Sequence, residues 1–286
     1  MSKVLTIKSV FDNTRNPPLY LFGYDASSPD VGAPVFAPLI AEITQAQGCQ
    51  LWLDSDFAGT TTEGGNVTEP TNRSGSNATV APFTTPPVWE GKGWNGEQSC
   101  IHLANTTLHA SGSDIAAVAN GTNKAWHFYL ACEFQREATN SEYFAFFDRA
   151  AGTAFANGIG MTSLTDSYFL GVNGQVAAIV DSTVQIGLEY LILDMSYSGG
   201  QVQFGINGVR AAAFSYASGV NILTDGFTIG GWNNSGTKSQ VGDLRLRMAG
   251  VFDHKLTGTA QDTTILQYLR SYCGNNFKHI ASLGAT

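Results

Sequence analysis

Charge is scarce in this sequence, and its scarcity excludes several kinds of protein. Only 13% of the 286 residues are charged, and the formal net charge is −8. Lysines and arginines form no run, so the chain lacks the basic surface that releases counterions from nucleic acid. We therefore expect no nucleic-acid partner.

Long hydrophobic runs are missing as well. No stretch approaches the roughly 18 apolar residues that a membrane-spanning helix needs. Residues 1–8 lack an apolar core of signal-peptide length. We therefore expect no membrane partner, and we expect the chain to fold in the cytoplasm of its host.

Cysteines are few and far apart. Cys49, Cys100, Cys132 and Cys273 form no Cys-x-x-Cys pair, and no histidine stands at the spacing of a zinc site. Because a cytosol keeps thiols reduced, we favour buried free thiols; two long-range disulfides are the alternative in an oxidising compartment. We predict no metal site and no cofactor.

The residues that are abundant indicate a β protein. Glycine occurs 32 times, and polar residues cluster between apolar segments, which is typical of short strands joined by tight turns. From Gln50 onward apolar and polar residues alternate, and this period of two predicts half-buried antiparallel strands. The predicted inward-facing residues are Trp126, Phe128, Leu130, Cys132 and Phe134 in one strand, Val202, Phe204 and Ile206 in a second, and Leu244, Leu246 and Met248 in a third.

Short glycine-containing turns locate the hairpins. Asn173-Gly174 and Asn207-Gly208 each separate two predicted strands, and both favour the type I′ turn. Ser198-Gly199-Gly200 joins another pair, so three consecutive strands form a meander. Residues 59–88 are rich in Gly, Thr, Asn and Pro, and we predict a surface loop there, either a binding loop or an insertion.

The two ends of the chain differ from its centre. Residues 1–48 combine two possible strands, several prolines and a short helix ending at Gly48, so we predict an arm or small docking subdomain. Residues 49–275 form the predicted sandwich, and residues 276–286 a polar tail. A closing helix begins with a capping box of Thr259 and Asp262 and ends at Gly274.

Several segments resemble a known family. They are Leu51–Asp56, Trp94–Leu103, Phe204–Val209, Phe227–Gly231, Leu246–Leu256 and Ile265–Gly274. They are similar to the concanavalin A-like lectin/glucanase superfamily, and in particular to the laminin-G-like jelly-roll domains of phage or bacterial surface proteins. The resemblance implies an all-β, two-sheet antiparallel jelly-roll sandwich with an N-terminal arm and a short C-terminal helix. This scaffold hosts lectins, glycosidases and structural modules, so function has to be argued from sites.

A glycosidase on this scaffold needs two facing carboxylates. The nearest candidates are Glu133, Glu137 and Glu142, and the period of two places the first two on the polar face of a strand end. We interpret them as solvated. The five histidines accompany no recognisable nucleophile. We therefore predict no catalytic residue.

Two further groups of residues are candidates for binding sites. Asp54 and Asp56 could hold calcium, but an aspartate after an apolar strand commonly caps the following turn, and we favour that role. Trp232 lies among asparagines in a loop and could stack on a sugar, with Trp89 and Trp94 as lesser candidates. Since aromatic residues in jelly rolls mostly fill the core, we assign no carbohydrate-binding residue.

We predict a non-enzymatic phage virion structural protein. The specific hypothesis is a capsid decoration (cement) protein that docks through residues 1–48 and displays the sandwich on the virion surface. Its partners would be other virion proteins of the capsid or tail, and it would form a homo-oligomer. The alternative is a glycan- or receptor-binding protein of a phage tail or bacterial surface, with a cell-surface glycan as partner.

Overall fold

Antiparallel strands make up most of the structure, which is a computed structural model. It describes residues 43, 48–60, 62–83, 85–94, 98–120, 125–136, 142–145, 159–164, 167–172, 175–180, 187–215, 227–230, 232–234, 237–239, 243–273 and 284–285. None of the helices in these ranges has the length and apolar character to cross a membrane.

The elements are numbered in chain order. The strands are β1 (Cys49–Asp54), β2 (Thr79–Pro82), β3 (Val88–Trp94), β4 (Gln98–Ala104), β5 (Leu108–Ser111), β6 (Ala125–Arg136), β7 (Glu142–Ala145), β8 (Ile159–Leu164), β9 (Ser167–Val172), β10 (Gln175–Val180), β11 (Gly187–Ser198), β12 (Gln201–Ile206), β13 (Val209–Arg210), β14 (Phe214–Ser215), β15 (Phe227–Ile229), β16 (Trp232–Asn234), β17 (Thr237–Ser239), β18 (Asp243–Phe252) and β19 (Gly284–Ala285). The main helices are α1 (Ser113–Asn120) and α2 (Ala260–Cys273), and Ser55–Phe57 form one turn of 3-10 helix.

One large sheet organises the fold. Its strands run in the order β13-β12-β11-β6-β18-β4-β3, with β1 also pairing with β18 and β14 with β12. Strand β18 pairs with β6 on one side, and on the other side first with β4 and then with β1. The remaining strands form a three-stranded sheet (β15-β5-β2), a five-stranded sheet (β19-β10-β9-β8-β7) and the β16-β17 hairpin. These layers confirm the predicted all-β antiparallel sandwich.

Both faces of the large sheet are buried. The first face packs with the three-stranded sheet in one apolar cluster, which includes Phe128, Leu130, Leu244, Val80 and Leu108. The second face packs beneath α2 in another cluster, which includes Trp52, Tyr129, Met248, Ile265 and Tyr268. The prediction that β6 is half-buried is therefore wrong, because a helix from the end of the chain covers its polar face.

The predicted turns form as expected where the structure describes them. Asn207 and Gly208 have φ values of 54° and 81°, and they join Ile206 to its partner Val209 in a two-residue loop. These positive values define the type I′ turn. Gly199-Gly200 turns β11 into β12 with φ values of 59° and 78°, which confirms the meander. Asn173-Gly174 lies outside the described residues, although β9 and β10 on either side of it pair.

A bulge changes the predicted face of β18. Leu244 and Leu246 belong to the first cluster, as the alternation predicts, but Met248 belongs to the second. The register against β6 shifts between Leu246 and Met248, so Arg247 is the extra residue on β18. The prediction of one common face is wrong there, because an inserted residue reverses every following side chain.

The region predicted to be a loop at 59–88 is more structured than its composition indicates. It contains β2, and Val67, Ala78 and Val80 are buried in the first cluster, so the prediction of a purely surface segment is wrong. Helix α1 was also not predicted from the sequence. Its Ile115 and Val118 are buried in the same cluster, which explains why so short a helix forms.

The structure describes only a few residues of the predicted N-terminal arm and C-terminal tail. Ile43 is helical and buried in the second cluster, and Gly48 has a φ of 82°, which is the backbone of a helix C-terminal cap. Both fit the predicted short helix. The rest of the predicted arm and most of the tail at 276–286 lie outside the described residues, so the division at residues 48 and 275 stays a prediction.

Helix α2 is held to the sheet by Arg210, a half-buried cation. Arg210 donates to Asp194 at 2.7 Å and to both oxygens of Asp262 at 2.5 and 2.7 Å. Thr259 accepts from the backbone of Asp262 at 3.1 Å, which confirms half of the capping box. The carboxylate of Asp262 accepts from Gly258 rather than from Thr259, because it also has to reach Arg210.

His127 completes this anchor at the centre of the second face. Its side chain is fully buried, and its Nδ1 accepts the backbone N–H of Leu256 at 3.1 Å. The ring proton therefore lies on Nε2, which faces Asp194 at 3.3 Å. Burial lowers the pKa of His127, and Asp194 only partly offsets this effect. The folded protein thus holds a neutral histidine.

Gly250 should resist substitution because an indole lies against it. A Cβ at this position would lie 2.7 Å from Cε3 and Cζ3 of Trp52, and both residues are buried. We expect Gly250→Ala to lower the free energy of unfolding by about 1–3 kcal/mol, as overpacking does, measured by chemical denaturation. Combining it with Trp52→Phe, which makes room, should give a smaller loss than the sum of the two single losses. Strict additivity would contradict this contact.

Acid should destabilise the protein through His127. Because its folded pKa is below the ordinary value of about 6.5, the unfolded chain binds a proton below that pH before the folded protein does. The free energy of unfolding should then fall by up to about 1.4 kcal/mol per pH unit until the folded pKa is reached. Denaturation curves measured from about pH 7 to about pH 5 should show this slope.

His127→Asn tests the assignment, since asparagine does not titrate but still offers Leu256 an acceptor. We expect the variant to be less stable overall and to lose most of the slope. His254→Asn is the matched control, because the side chain of His254 is 41% exposed; its slope should equal that of the unchanged protein. A slope that survives in His127→Asn would refute the assignment.

Candidate ligand-binding cleft

An open cleft lies at the outer edge of the large sheet. It is lined by Glu63, Trp89, Glu90, Gly91, Lys92 and Gly93. Its volume is about 470 Å³, which falls within the range of small-molecule binding sites. We call it the Trp89 cleft.

Backbone hydrogen bonds place Glu63 beside this strand. Strand β3 is the last in the sheet order, and the preceding loop adds to its free edge. Gly64 donates to the carbonyl of Trp89, and Trp89 donates to that of Gly65, both at 2.9 Å. The Glu63 carboxylate then accepts the next edge N–H, that of Gly91, at 2.7 Å. The loop thus holds a carboxylate next to the tryptophan.

Trp89 is fixed at one end and accessible at the other. Its Nε1 donates to the carbonyl of Ser55 at 2.9 Å, and its ring packs partly against the first cluster. A Cβ at position 91 would lie 3.0–3.1 Å from Cη2 and Cζ3 of the indole. Because Gly91 has no side chain, these ring atoms line the cleft instead of being covered.

Glu90 is held on the opposite face of β3 by two partners. Its carboxylate lies 2.7 Å from His102 Nδ1 and accepts from Arg245 Nε at 3.0 Å. Burial alone would raise the pKa of Glu90, but the hydrogen bond from Arg245 and the charge of His102 outweigh it, so the pKa is lowered. Glu90 is therefore an ionised carboxylate at neutral pH.

A row of charged residues crosses the sheet behind Glu90. His102 on β4, Arg245 on β18 and Glu133 on β6 are direct cross-strand neighbours. The other ring nitrogen of His102 lies 2.7 Å from Asp243, and Arg245 lies 3.7 Å from Glu133. We call these four residues, together with Glu90, the charge row. It gives the cleft a rigid charged wall.

Glu133 is not solvated, so the sequence-based interpretation of this residue is wrong. It is only 3% exposed, because β6 lies inside the sheet between β11 and β18, and it faces Arg245. Glu137 lies outside the described residues. Glu142 is on β7, in a different sheet. No pairing of Glu133 with either of them as a catalytic pair emerges from the described part of the chain.

Asp54 and Asp56 confirm the predicted turn role. Asp54 caps the 3-10 helix by accepting the backbone N–H of Asp56 at 3.0 Å. Arg247 binds Asp54 at 2.9 Å and Asp56 at 2.7 Å, so a guanidinium lies where a calcium ion would have to bind both. Burial raises the pKa of Asp54, whereas Arg247 lowers that of Asp56 against the effect of burial. Among the described residues no cluster of acidic, His or Cys side chains is arranged to hold a metal ion.

Three of the four cysteines are buried free thiols, as predicted: Cys49, Cys100 and Cys132. Burial raises the pKa of Cys49 to about 12, and burial together with Glu90 raises that of Cys100. The thiols of Cys49 and Cys100 are therefore protonated and unreactive at neutral pH. The side chain of Cys273 lies outside the described part.

The aromatic candidates have different outcomes. Trp232 is on strand β16, which pairs with β17, so the prediction that it lies in a loop is wrong. Trp94 ends β3, and the side chains of both residues are not among those that the structure describes. Trp89, a lesser candidate in the sequence, lies in the cleft. Its signal in the sequence was the run Trp89-Glu-Gly-Lys-Gly93, because glycines alternating with charged residues after a tryptophan leave one side of a strand without side chains.

Similar solved structures are binding domains of botulinum neurotoxins. The domain of neurotoxin DC in complex with rat synaptotagmin II has a TM-score of 0.52 and 11% identity, and the similarity covers 79% of this chain and 52% of that one. A structure of neurotoxin type C, whose cell entry depends on two ganglioside molecules, has a TM-score of 0.52 and 12% identity over 82% and 53%. The binding domain of serotype D/C has 0.51 and 12% over 80% and 53%.

These similarities define the class of fold. At such low identity they show a jelly-roll β-sandwich fold and nothing finer. The chain spans about half the length of the neurotoxin chains that it matches. No family model and no curated protein sequence matches it.

Removing the buried cation at the β1–β18 junction should destabilise the protein strongly. We expect Arg247→Met to lower the free energy of unfolding by about 3–5 kcal/mol, because the buried Asp54 would keep only Arg73, whose Nη1 lies 3.7 Å away. Asp56→Asn should lose no more than about 1 kcal/mol, since that carboxylate is 51% exposed. Chemical denaturation measures both. A thermal midpoint that rises when calcium is added to the unchanged protein would contradict the turn role.

Proposed function

We propose that this protein is a glycan-binding β-sandwich and that the Trp89 cleft is its binding site. The observation that carries the proposal is the indole of Trp89, which Gly91 leaves uncovered in a cleft that Glu63, Glu90 and Lys92 also line. An aromatic surface with a few fixed polar groups at its rim is the usual composition of a sugar-binding site.

The chemistry of the cleft suits a sugar ring. The C–H face of a pyranose can pack on the accessible indole atoms of Trp89. Its hydroxyl groups can donate to the carboxylates of Glu63 and Glu90 and accept from Lys92. Because Glu63 and Trp89 are both held by backbone hydrogen bonds, these groups are already in place before a ligand arrives, which limits the entropy lost on binding.

The same geometry favours binding over hydrolysis. A glycosidase needs one carboxylic acid with a raised pKa, whereas the pKa of Glu90 is lowered by Arg245 and His102. Glu133 is buried against Arg245 and cannot reach a ligand. We therefore propose a module that binds without turnover.

The similar solved structures support this proposal better than they support the virion hypothesis. The similar neurotoxin domains are binding domains, one described with synaptotagmin II and one with ganglioside molecules. They favour the receptor- or glycan-binding alternative. A capsid decoration role, docking to other virion proteins, a homo-oligomer and a place on the virion surface stay predictions from the sequence.

Narrowing the cleft should weaken glycan binding without removing any side chain. Gly91→Ala places a methyl group against Trp89 and Glu63. We expect at least about a tenfold loss of affinity for the glycans that the unchanged protein binds, because one methyl group in a ligand pocket has an effect of that size. A glycan array identifies these glycans, and calorimetry measures the loss.

Gly75→Ala is the matched control. A Cβ at position 75 meets no atom within 4 Å, so affinity should not change even if the left-handed backbone there makes the variant less stable. Thermal midpoints of both variants exclude unfolding as the cause of lost binding. Glycan binding that Gly91→Ala leaves intact would place the site elsewhere, and the proposal would fail.

A further inference from the structure

We infer that the Trp89 cleft selects uncharged sugar residues and rejects acidic ones, such as sialic or uronic acids. The inference rests on the proposed function and names the class of glycan. It follows from the charges that line the cleft and from the positions of the cations nearby.

Two acidic residues line this cleft, against one basic residue. Glu63 lies beside the Trp89 indole, Glu90 projects from the other face of β3, and Lys92 is the cation among the residues that line the cleft. A carboxylate on the sugar would approach two like charges, which disfavours binding. A sugar hydroxyl has no such penalty, since it donates to a carboxylate and accepts from an ammonium group equally well.

The cations behind the cleft are already engaged by the protein. Arg245 donates to Glu90 at 3.0 Å and faces Glu133 at 3.7 Å. His102 lies 2.7 Å from both Glu90 and Asp243. An acidic sugar would have to displace one of these internal carboxylates to reach a guanidinium or an imidazole. The recognition of acidic ligands usually relies on an arginine that is free to form a bidentate pair, and the lining of this cleft has none.

The net charge of the whole protein also disfavours the binding of acidic sugars. The formal net charge of −8 repels anionic ligands at long range, and salt screens this part of the effect. The carboxylates in the cleft act at contact distance, where salt has less influence. Selectivity that persists at high ionic strength would therefore belong to the cleft and not to the overall charge.

An array of matched glycan pairs tests the inference. Each neutral oligosaccharide is printed beside the same oligosaccharide carrying a terminal sialic or uronic acid, and binding is measured at low and high salt. We expect the unchanged protein to bind the neutral member at least about tenfold more strongly than the acidic member at both salt concentrations.

Glu63→Gln isolates the charge of the cleft. Glutamine keeps an acceptor for the N–H of Gly91 and removes one negative charge, so the preference for the neutral member should shrink at least about threefold. Glu69→Gln is the matched control, because Glu69 is exposed and does not line the cleft. It changes the net charge equally and should leave the preference unchanged.

The possible outcomes separate the inference from the proposed function. In one outcome, the unchanged protein binds the acidic member of each pair as strongly as the neutral member, or more strongly, and loses this binding in Gly91→Ala. That result would overturn the selectivity and leave the cleft as the glycan site. An equal change of preference in Glu63→Gln and Glu69→Gln would assign the selectivity to net charge and overturn the inference. If no binding depends on Gly91, the proposed function fails and the inference fails with it.

Discussion

Three arginines of the large sheet each bind two carboxylates, and the rest of the structure is arranged around these pairs. Arg210 joins Asp194 to Asp262, Arg245 lies between Glu90 and Glu133, and Arg247 joins Asp54 to Asp56. Charges on a covered face must be paired, because an uncompensated buried charge destabilises a protein by several kcal/mol. A guanidinium meets two carboxylates better than an ammonium group does. The pairs thus fix helix α2, the wall of the Trp89 cleft and the β1–β18 junction.

This constraint also explains the chemistry of the cleft. Glu90 cannot serve as a proton donor while Arg245 and His102 stabilise its ionised form. A carboxylate that is fixed and permanently charged is, however, well suited to accept hydrogen bonds from hydroxyl groups. The ion pairs needed to cover the sheet therefore favour recognition and disfavour acid catalysis at the same position. The same ion pairs thus stabilise the fold and set the chemistry of the proposed binding site.

Local sequence patterns predicted much of the fold. The features that they missed depend on contacts between residues that are far apart in the chain. The turn at Asn207-Gly208, the alternation in β12 and the cap of α2 depend on neighbouring residues, so the sequence reveals them. The burial of Glu133 depends on β18, which begins more than a hundred residues further along the chain. The bulge at Arg247 leaves the composition of β18 unchanged while it reverses the faces after it. Such features cannot be read from periodicity alone.

The Trp89 cleft itself follows from the need to protect a sheet edge. An exposed edge strand presents unpaired N–H and C=O groups and invites pairing with other chains. Here the loop at 64–67 and the Glu63 carboxylate occupy that edge, and Lys92 adds a charge of the kind that discourages aggregation. Gly91 lets the carboxylate come close, and for the same reason leaves the indole of Trp89 uncovered. Protection of the edge thus brings an aromatic ring and charged groups together, and a binding site can arise from them without further change to the scaffold.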